Sequence, residues 1–290
     1  MKTLWAIEPF HQKSKSLQQV YRLVKNFSVG QAEIDVGFIS TGTESQLVTS
    51  YDIDEKIRFT DYPRTLIESL FKKEKIDIKK EKIFVRNKNT FSTSIAVYEL
   101  LKLAKSRNAK LICLFTKAEV GLSRIFLGSF AEELMHQSRL PVLLISPKSK
   151  VVTNIKKIIY ACDFSKGYKK YLDKVVKLAK STESELVVLH HSEFFLDKGA
   201  VTYNQNLYTK RVVGCIKQVE AELKKNKVKG RVVATNQLGS TSELITKQSA
   251  KENVDLIAIA AKSSALVSFL GGSVTRQVVS MADRPVLVVK

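Results

Sequence analysis

The sharpest chemical candidate in the chain is Asp163, within Tyr160-Ala161-Cys162-Asp163-Phe164-Ser165. A carboxylate placed directly after an apolar strand has two uses. It can meet a ligand, because ligands of open α/β sheets sit beyond the carboxyl ends of the strands. It can also cap the turn into a following helix. The two roles can coexist. The four histidines are His11, His136, His190 and His191. Neighbours on a strand point to opposite faces, so His190 and His191 diverge and suit hydrogen bonding or pocket lining better than one shared metal. His136 belongs on a helix surface. No histidine has a Ser, Cys or Asp at the spacing of a nucleophile and its base, so no catalytic residue is assigned. Cys113 and Cys162 fall in apolar strands and read as core, whereas Cys215, in a long helix, is the candidate for an exposed thiol. Glu193-Phe194-Phe195-Leu196 reads as core or interface packing, with cover for a pocket mouth as the alternative.

The elements that position these residues repeat. Residues 128–146 read GSFAEELMHQSRLPVLLIS and residues 272–290 read GSVTRQVVSMADRPVLVVK, and both the Gly-Ser and the Pro-Val-Leu pairs share the offset 144. Leu134, Met135 and Ser138 then face Val278, Val279 and Ala282 at helical spacing. Each half alternates apolar strands with amphipathic helices. In the first, strands are expected at Thr3–Ile7, Glu33–Ser40, Lys82–Val85, Lys110–Phe115 and Pro141–Ser146, with helices at Ser14–Phe27, Tyr62–Lys75, Ser92–Ser106 and from about Gly128. In the second, strands are expected at Lys156–Ala161, Glu185–His190, Arg231–Thr235, Leu256–Ala260 and Pro285–Val289. Its helices are Lys166–Ser181, Leu207–Lys225, Thr241–Asn253 and Gly272–Ala282, and Ser240 with Glu243 reads as a capping box. Such alternation, with near-continuous Val/Ile/Leu strands, implies parallel sheets covered on both faces. Two five-stranded α/β units follow, joined by the polar stretch Lys148–Asn154. From Glu8 to Gly128 is 120 residues, against 109 from Asp163 to Gly272. The extra eleven are placed in Thr41–Pro63, a surface insertion or alternatively a lid or partner loop.

Composition narrows the classes. The 290 residues hold 44% apolar and 26% charged residues, enough for a buried core in about two domains. No apolar run approaches the roughly 20 residues of a membrane span. The start, MKTLWAIEPFHQ, lacks the apolar stretch of a secretory signal, and the three cysteines form no CxxC, so the expected compartment is the cytoplasm. Lys and Arg number 48 against 28 acids, a net charge of +20 spread evenly along the sequence, with 37 Lys and 11 Arg. A solvated lysine-rich surface is the plain reading, and a patch for a polyanion is the alternative.

Tyr160–Ser165, Leu186–His191 and the Gly-Ser and Pro-Val-Leu segments resemble the universal stress protein family, as two complete family domains in tandem. The resemblance implies two Rossmann-like, adenine-nucleotide alpha-hydrolase-like parallel-sheet domains, 1–147 and 155–290. It implies that they pair within the chain through Pro141–Ser146 and Pro285–Val289, and it leaves room for a further homodimer. Nucleotide-binding members carry Gly-x-x-Gly, nine residues, then Gly-Ser or Gly-Thr; the glycines let backbone approach phosphates and the last pair offers helix N-terminal amides. In the first half Glu8, Phe115 and Ala118 stand at the Asp and glycine positions, with Gly128 and Ser129 kept, so that site is degenerate. In the second half Asp163, Gly272 and Ser273 match, while Ala260 and Ser263 replace the glycines, eight residues before Gly272. The expected function is a stress-response binding module without efficient catalysis and with at most weak nucleotide binding. One alternative is an ATP-binding protein, with magnesium, that slowly hydrolyses ATP or transfers its phosphoryl group in the second domain. The other is a basic surface for nucleic acid or an acidic partner.

Overall fold

Runs of four to seven apolar residues become interior strands only if both faces are covered, and helices alternating with them supply that cover. The computed structural model describes residues 1–10, 14–28, 33–40, 62–88, 92–116, 129–191, 201–260 and 272–290, with 14–15, 201–209 and 272–273 described by their backbone alone. The chain divides into two compact units, Met1–Asn154 and Ile155–Lys290.

The first unit runs β1 (Thr3–Ala6), α1 (Ser14–Lys25), β2 (Ile34–Ser40), α2 (Tyr62–Lys73), β3 (Ile83–Asn87), α3 (Thr93–Ser106), β4 (Leu111–Phe115), α4 (Ser129–Gln137) and β5 (Val142–Ile145). Its strands are parallel in the order β3-β2-β1-β4-β5. The second unit runs β6 (Lys157–Ala161), α5 (Tyr168–Ser181), β7 (Glu185–His191), α6 (Val201–Lys225), β8 (Gly230–Thr235), α7 (Thr241–Lys251), β9 (Leu256–Ala260), α8 (Gly272–Met281) and β10 (Val286–Val289). It repeats the order, β8-β7-β6-β9-β10, again parallel. Right-handed crossovers in that order put the first two helices of a unit on one face of its sheet and the last two on the other.

The register confirms the duplication. Trp5 lies beside Val36 and Cys113, and Tyr160 beside Val188 and Ala258. Helix pairing repeats too: Ser94 donates to Glu133 at 2.6 Å, and Ser242 donates to Gln277, 144 residues beyond Glu133, at 2.6 Å. At the amino ends of the strands, carboxylates hold neighbouring elements together. Asp35 on β2 is 1% exposed and meets Arg107 at 3.0 Å, Lys2 at 3.4 Å and Lys82 at 3.8 Å. In the second unit Arg231 bridges Glu185 and Glu252, and Lys157 reaches both.

Three details depart from the sequence expectation. Helix α6 begins at Val201, six residues before Leu207. Strand β3 continues past Val85 because Arg86 and Asn87 stay in register with Ile39 and Ser40. The polar stretch after Pro147 is anchored to α1: Gln19 donates to the Ser149 carbonyl at 2.7 Å and Asn26 to the Thr153 carbonyl at 2.9 Å.

Candidate functional site

The second unit builds its candidate site where β6 ends. The Cys162 amide still donates to the Leu189 carbonyl at 2.9 Å, and then the backbone turns. Phe164 takes a left-handed φ of 50°, and Gly167 takes φ 87° just before α5. A left-handed phenylalanine costs about 1–3 kcal/mol, which its ring offsets by burial. The ring stacks on His190 at 4.5 Å between centroids and meets Tyr168 edge-on at 5.3 Å. The turn leaves Asp163 exposed beyond the strand end, where its Oδ1 accepts the Ser165 amide at 3.0 Å. The turn-capping role is therefore present.

His190 is buried, and its Nδ1 donates to the Cys162 carbonyl at 2.8 Å. Burial holds its pKa below the usual imidazole value, against the opposing pull of that carbonyl and of Asp163. His191 turns the other way: Nε2 donates to the Gln237 carbonyl at 3.2 Å, and Nδ1 lies 3.1 Å from Thr241 Oγ1 at the start of α7. The two rings diverge as their alternation predicts. Among the described residues no group of His, Cys, Asp or Glu could hold a metal ion.

In the first unit the equivalent strand end is filled by rings. The Glu8 carboxylate accepts the Phe10 amide at 2.9 Å, the same two-residue turn that Asp163 makes. Phe10 packs edge-on to Phe38 at 5.8 Å and beside Tyr62 at 6.4 Å. By strand register Phe38 is the counterpart of His190, so each unit sets a loop ring on a ring of its second strand. Sequence reasoning missed this pairing. Its signal was Phe38 and His190 at matching places near the end of an otherwise aliphatic strand.

The remaining candidates sort by position. Phe115 ends β4 and Ala260 ends β9, and register makes them equivalents, both partly exposed. Ala260 and Asp163 thus stand at the carboxyl ends of adjacent strands. Gly272 and Ser273 open α8, and Ser129 opens α4, exposed, with its hydroxyl 3.5 Å from Thr93 Oγ1. Ala118, Gly128 and Ser263 lie outside the described residues, as do His11, Phe194, Phe195 and residues 41–61 of the insertion. His136 is exposed. The expectation of an exposed thiol is corrected. Cys215 is buried, on the side of α6 that faces α5, and all three cysteines are free and buried. Burial raises the Cys162 thiol to about 11 and the Cys113 thiol further, so neither is a thiolate at neutral pH. No helix among the described residues is long and apolar enough to cross a membrane.

Comparison with known proteins comes to the same architecture. The model of the universal stress protein family matches residues 31–146 and 154–290. A universal stress protein from Archaeoglobus fulgidus DSM 4304 superposes with a TM-score of 0.67 at 18% identity, over 100% of this chain and 98% of that one. A putative universal stress protein from Pseudomonas aeruginosa UCBPP-PA14 gives 0.64 at 14% identity, over 100% and 93%. No curated protein sequence shows significant similarity to the chain.

Proposed function

Because the chain belongs to the universal stress protein family, in two tandem copies, we propose that it is a stress-response binding module with no efficient catalysis, whose nucleotide contact, where one is made, is weak and confined to the second unit. The observation that carries this reading is the contrast between Phe115 and Ala260 at equivalent strand ends. An aromatic side chain at the end of β4 takes the space through which a phosphate would approach the backbone, whereas a methyl leaves it open. In the second unit Asp163 would face the sugar and base side, with Ala260 and Ser263 beside the phosphates and the amides of Gly272 and Ser273 at the start of α8. These residues fit ATP with magnesium only in part, since both phosphate glycines are replaced.

A cytoplasmic site of action belongs to the same proposal, supported by three cysteines held as free thiols. Calorimetric titration with ATP and magnesium tests the binding. The expected result is a weak isotherm for the native chain, lost in Ala260→Phe and in Asp163→Ala, with no release of inorganic phosphate above the rate in buffer. Steady turnover of ATP, or undiminished binding by Ala260→Phe, would remove the reading.

A further inference from the structure

We propose that the α5–α6 face of the second unit binds the phosphate backbone of nucleic acid without regard to sequence. The even spread of positive charge along the chain conceals a segregation between the two faces of each sheet. Helices α5 and α6 carry ten Lys and Arg against three acids, while α7 and α8 on the opposite face carry three against one. The first unit has the same bias: six against one on α1 and α2, but two against three on α3 and α4. Two independent helix pairs with one sign preference are a property of the face.

The second unit adds shape to the charge. Tyr168 donates to Gln218 at 2.9 Å and Arg211 to the Phe164 carbonyl at 3.1 Å, so α5 and α6 lie side by side. Between them is an open groove of about 280 Å³, with Phe164, Lys166, Lys169, Lys170, Arg211 and Cys215 among its lining residues and no acid. Lys166, Lys169, Lys170 and Arg211 are exposed, and none is ion-paired among the described residues. Lys170 is close enough to Lys174 to push its pKa down, behind the larger effect of burial. The cations also crowd the end of α5 whose own dipole is positive, an arrangement unfavourable until an anion arrives.

Backbone binding fits this surface better than an acidic protein partner does. Protein interfaces centre on apolar and aromatic anchors. On α5 and α6, Val213 is the one exposed large apolar side chain among the described residues. Lysines are strongly hydrated point charges suited to non-directional phosphate contact. The charged rows run from Lys169 to Lys180 on α5 and from Lys210 to Lys225 on α6, about 17 and 23 Å. This inference does not rest on the nucleotide reading, since the groove lies between α5 and α6 and includes neither Ala260 nor Gly272.

The test is fluorescence anisotropy of a labelled mixed-sequence 20-mer, single-stranded and as duplex, from 50 to 300 mM NaCl. Lys166→Glu/Lys169→Glu/Lys170→Glu should weaken binding at least about tenfold and make the salt slope shallower by about 2 to 3, one contact per lysine. Lys247→Glu/Lys251→Glu/Arg276→Glu on the opposite face makes the same charge change and should cost less than about threefold. Thermal melts of both variants establish that each is folded. Binding to either oligonucleotide with this face dependence supports the proposal. No binding at 50 mM NaCl, equal losses in the two variants, or capture of polyglutamate without the oligonucleotides would overturn it.

Discussion

His190 is the residue whose charge state the fold constrains most clearly. Its ring lies between Phe164 and the Cys162 carbonyl, and burial lowers its pKa in the folded protein. The unfolded chain has the ordinary value near 6.5, so it takes up a proton first as pH falls. Stability present above about pH 6.5 is therefore lost as pH drops toward the lower folded value. The counterpart Phe38 suggests the discriminating variant. His190→Phe keeps a ring on Phe164 and removes the titration, at a cost of about 1 kcal/mol for the lost hydrogen bond. Thermal melts at pH 7.5 and 5.5 should show a clear fall in Tm for the native protein and a smaller one for the variant. An equal fall in both would place the acid sensitivity elsewhere.

Among the elements, α3 on β2 illustrates how close packing depends on one small residue. Gly37 lies mid-strand beside Ala6 and Phe84, and an added Cβ would come within 2.9 Å of Leu103 Cδ2 and 3.2 Å of Leu4 Cδ1. Both obstacles are ends of flexible side chains, so Gly37→Ala should cost about 1–2 kcal/mol, at the lower end for overpacking. Urea titration should show a lower midpoint with unchanged slope. A second element-scale expectation concerns Asp35. Asp35→Ala leaves Lys2 before β1, Lys82 before β3 and Arg107 at the carboxyl end of α3 facing one another. The three cations are partly exposed and can rehydrate, so the loss should be about 2 kcal/mol, below that of a fully buried pair. Added salt should recover part of it by screening the repulsion.

The elements were also the most legible part of the sequence. Strand limits could be read within about two residues because an interior parallel strand is apolar on both faces and its turns are polar. The start of α6 was not readable, since Val201–Asn206 contains Thr, Tyr and two Asn without a clear apolar face. The places of Asp163 and Ala260 were legible because each stands where an apolar strand runs out, at the carboxyl ends of the adjacent strands β6 and β9. Cys215 was misread because a long amphipathic helix does not declare which of its faces meets a neighbour. The charge of α5 and α6 was hidden for a related reason. Successive elements alternate along the chain, so a property of one face is averaged away in a count by position.

At the scale of the whole molecule, the last strand of each unit needs cover. Within their own units β5 pairs only with β4, and β10 only with β9, yet their sequences are VLLI and VLVV. An outer strand so apolar, with half its amides turned away from its neighbour, invites pairing or aggregation. We propose that Pro141–Ser146 and Pro285–Val289 cover each other within one chain. Hydrogen exchange by NMR on the intact protein tests this directly. Amides of Val142–Ile145 and Val286–Val289 that do not bond to β4 or β9 should exchange as slowly as those that do, because both sets open only with the ladder. Light scattering on the same sample should give the 32.6 kDa of one chain. Protection found only where the mass doubles would assign the pairing to a homodimer, and rapid exchange of the outward amides at any concentration would leave both strands uncovered.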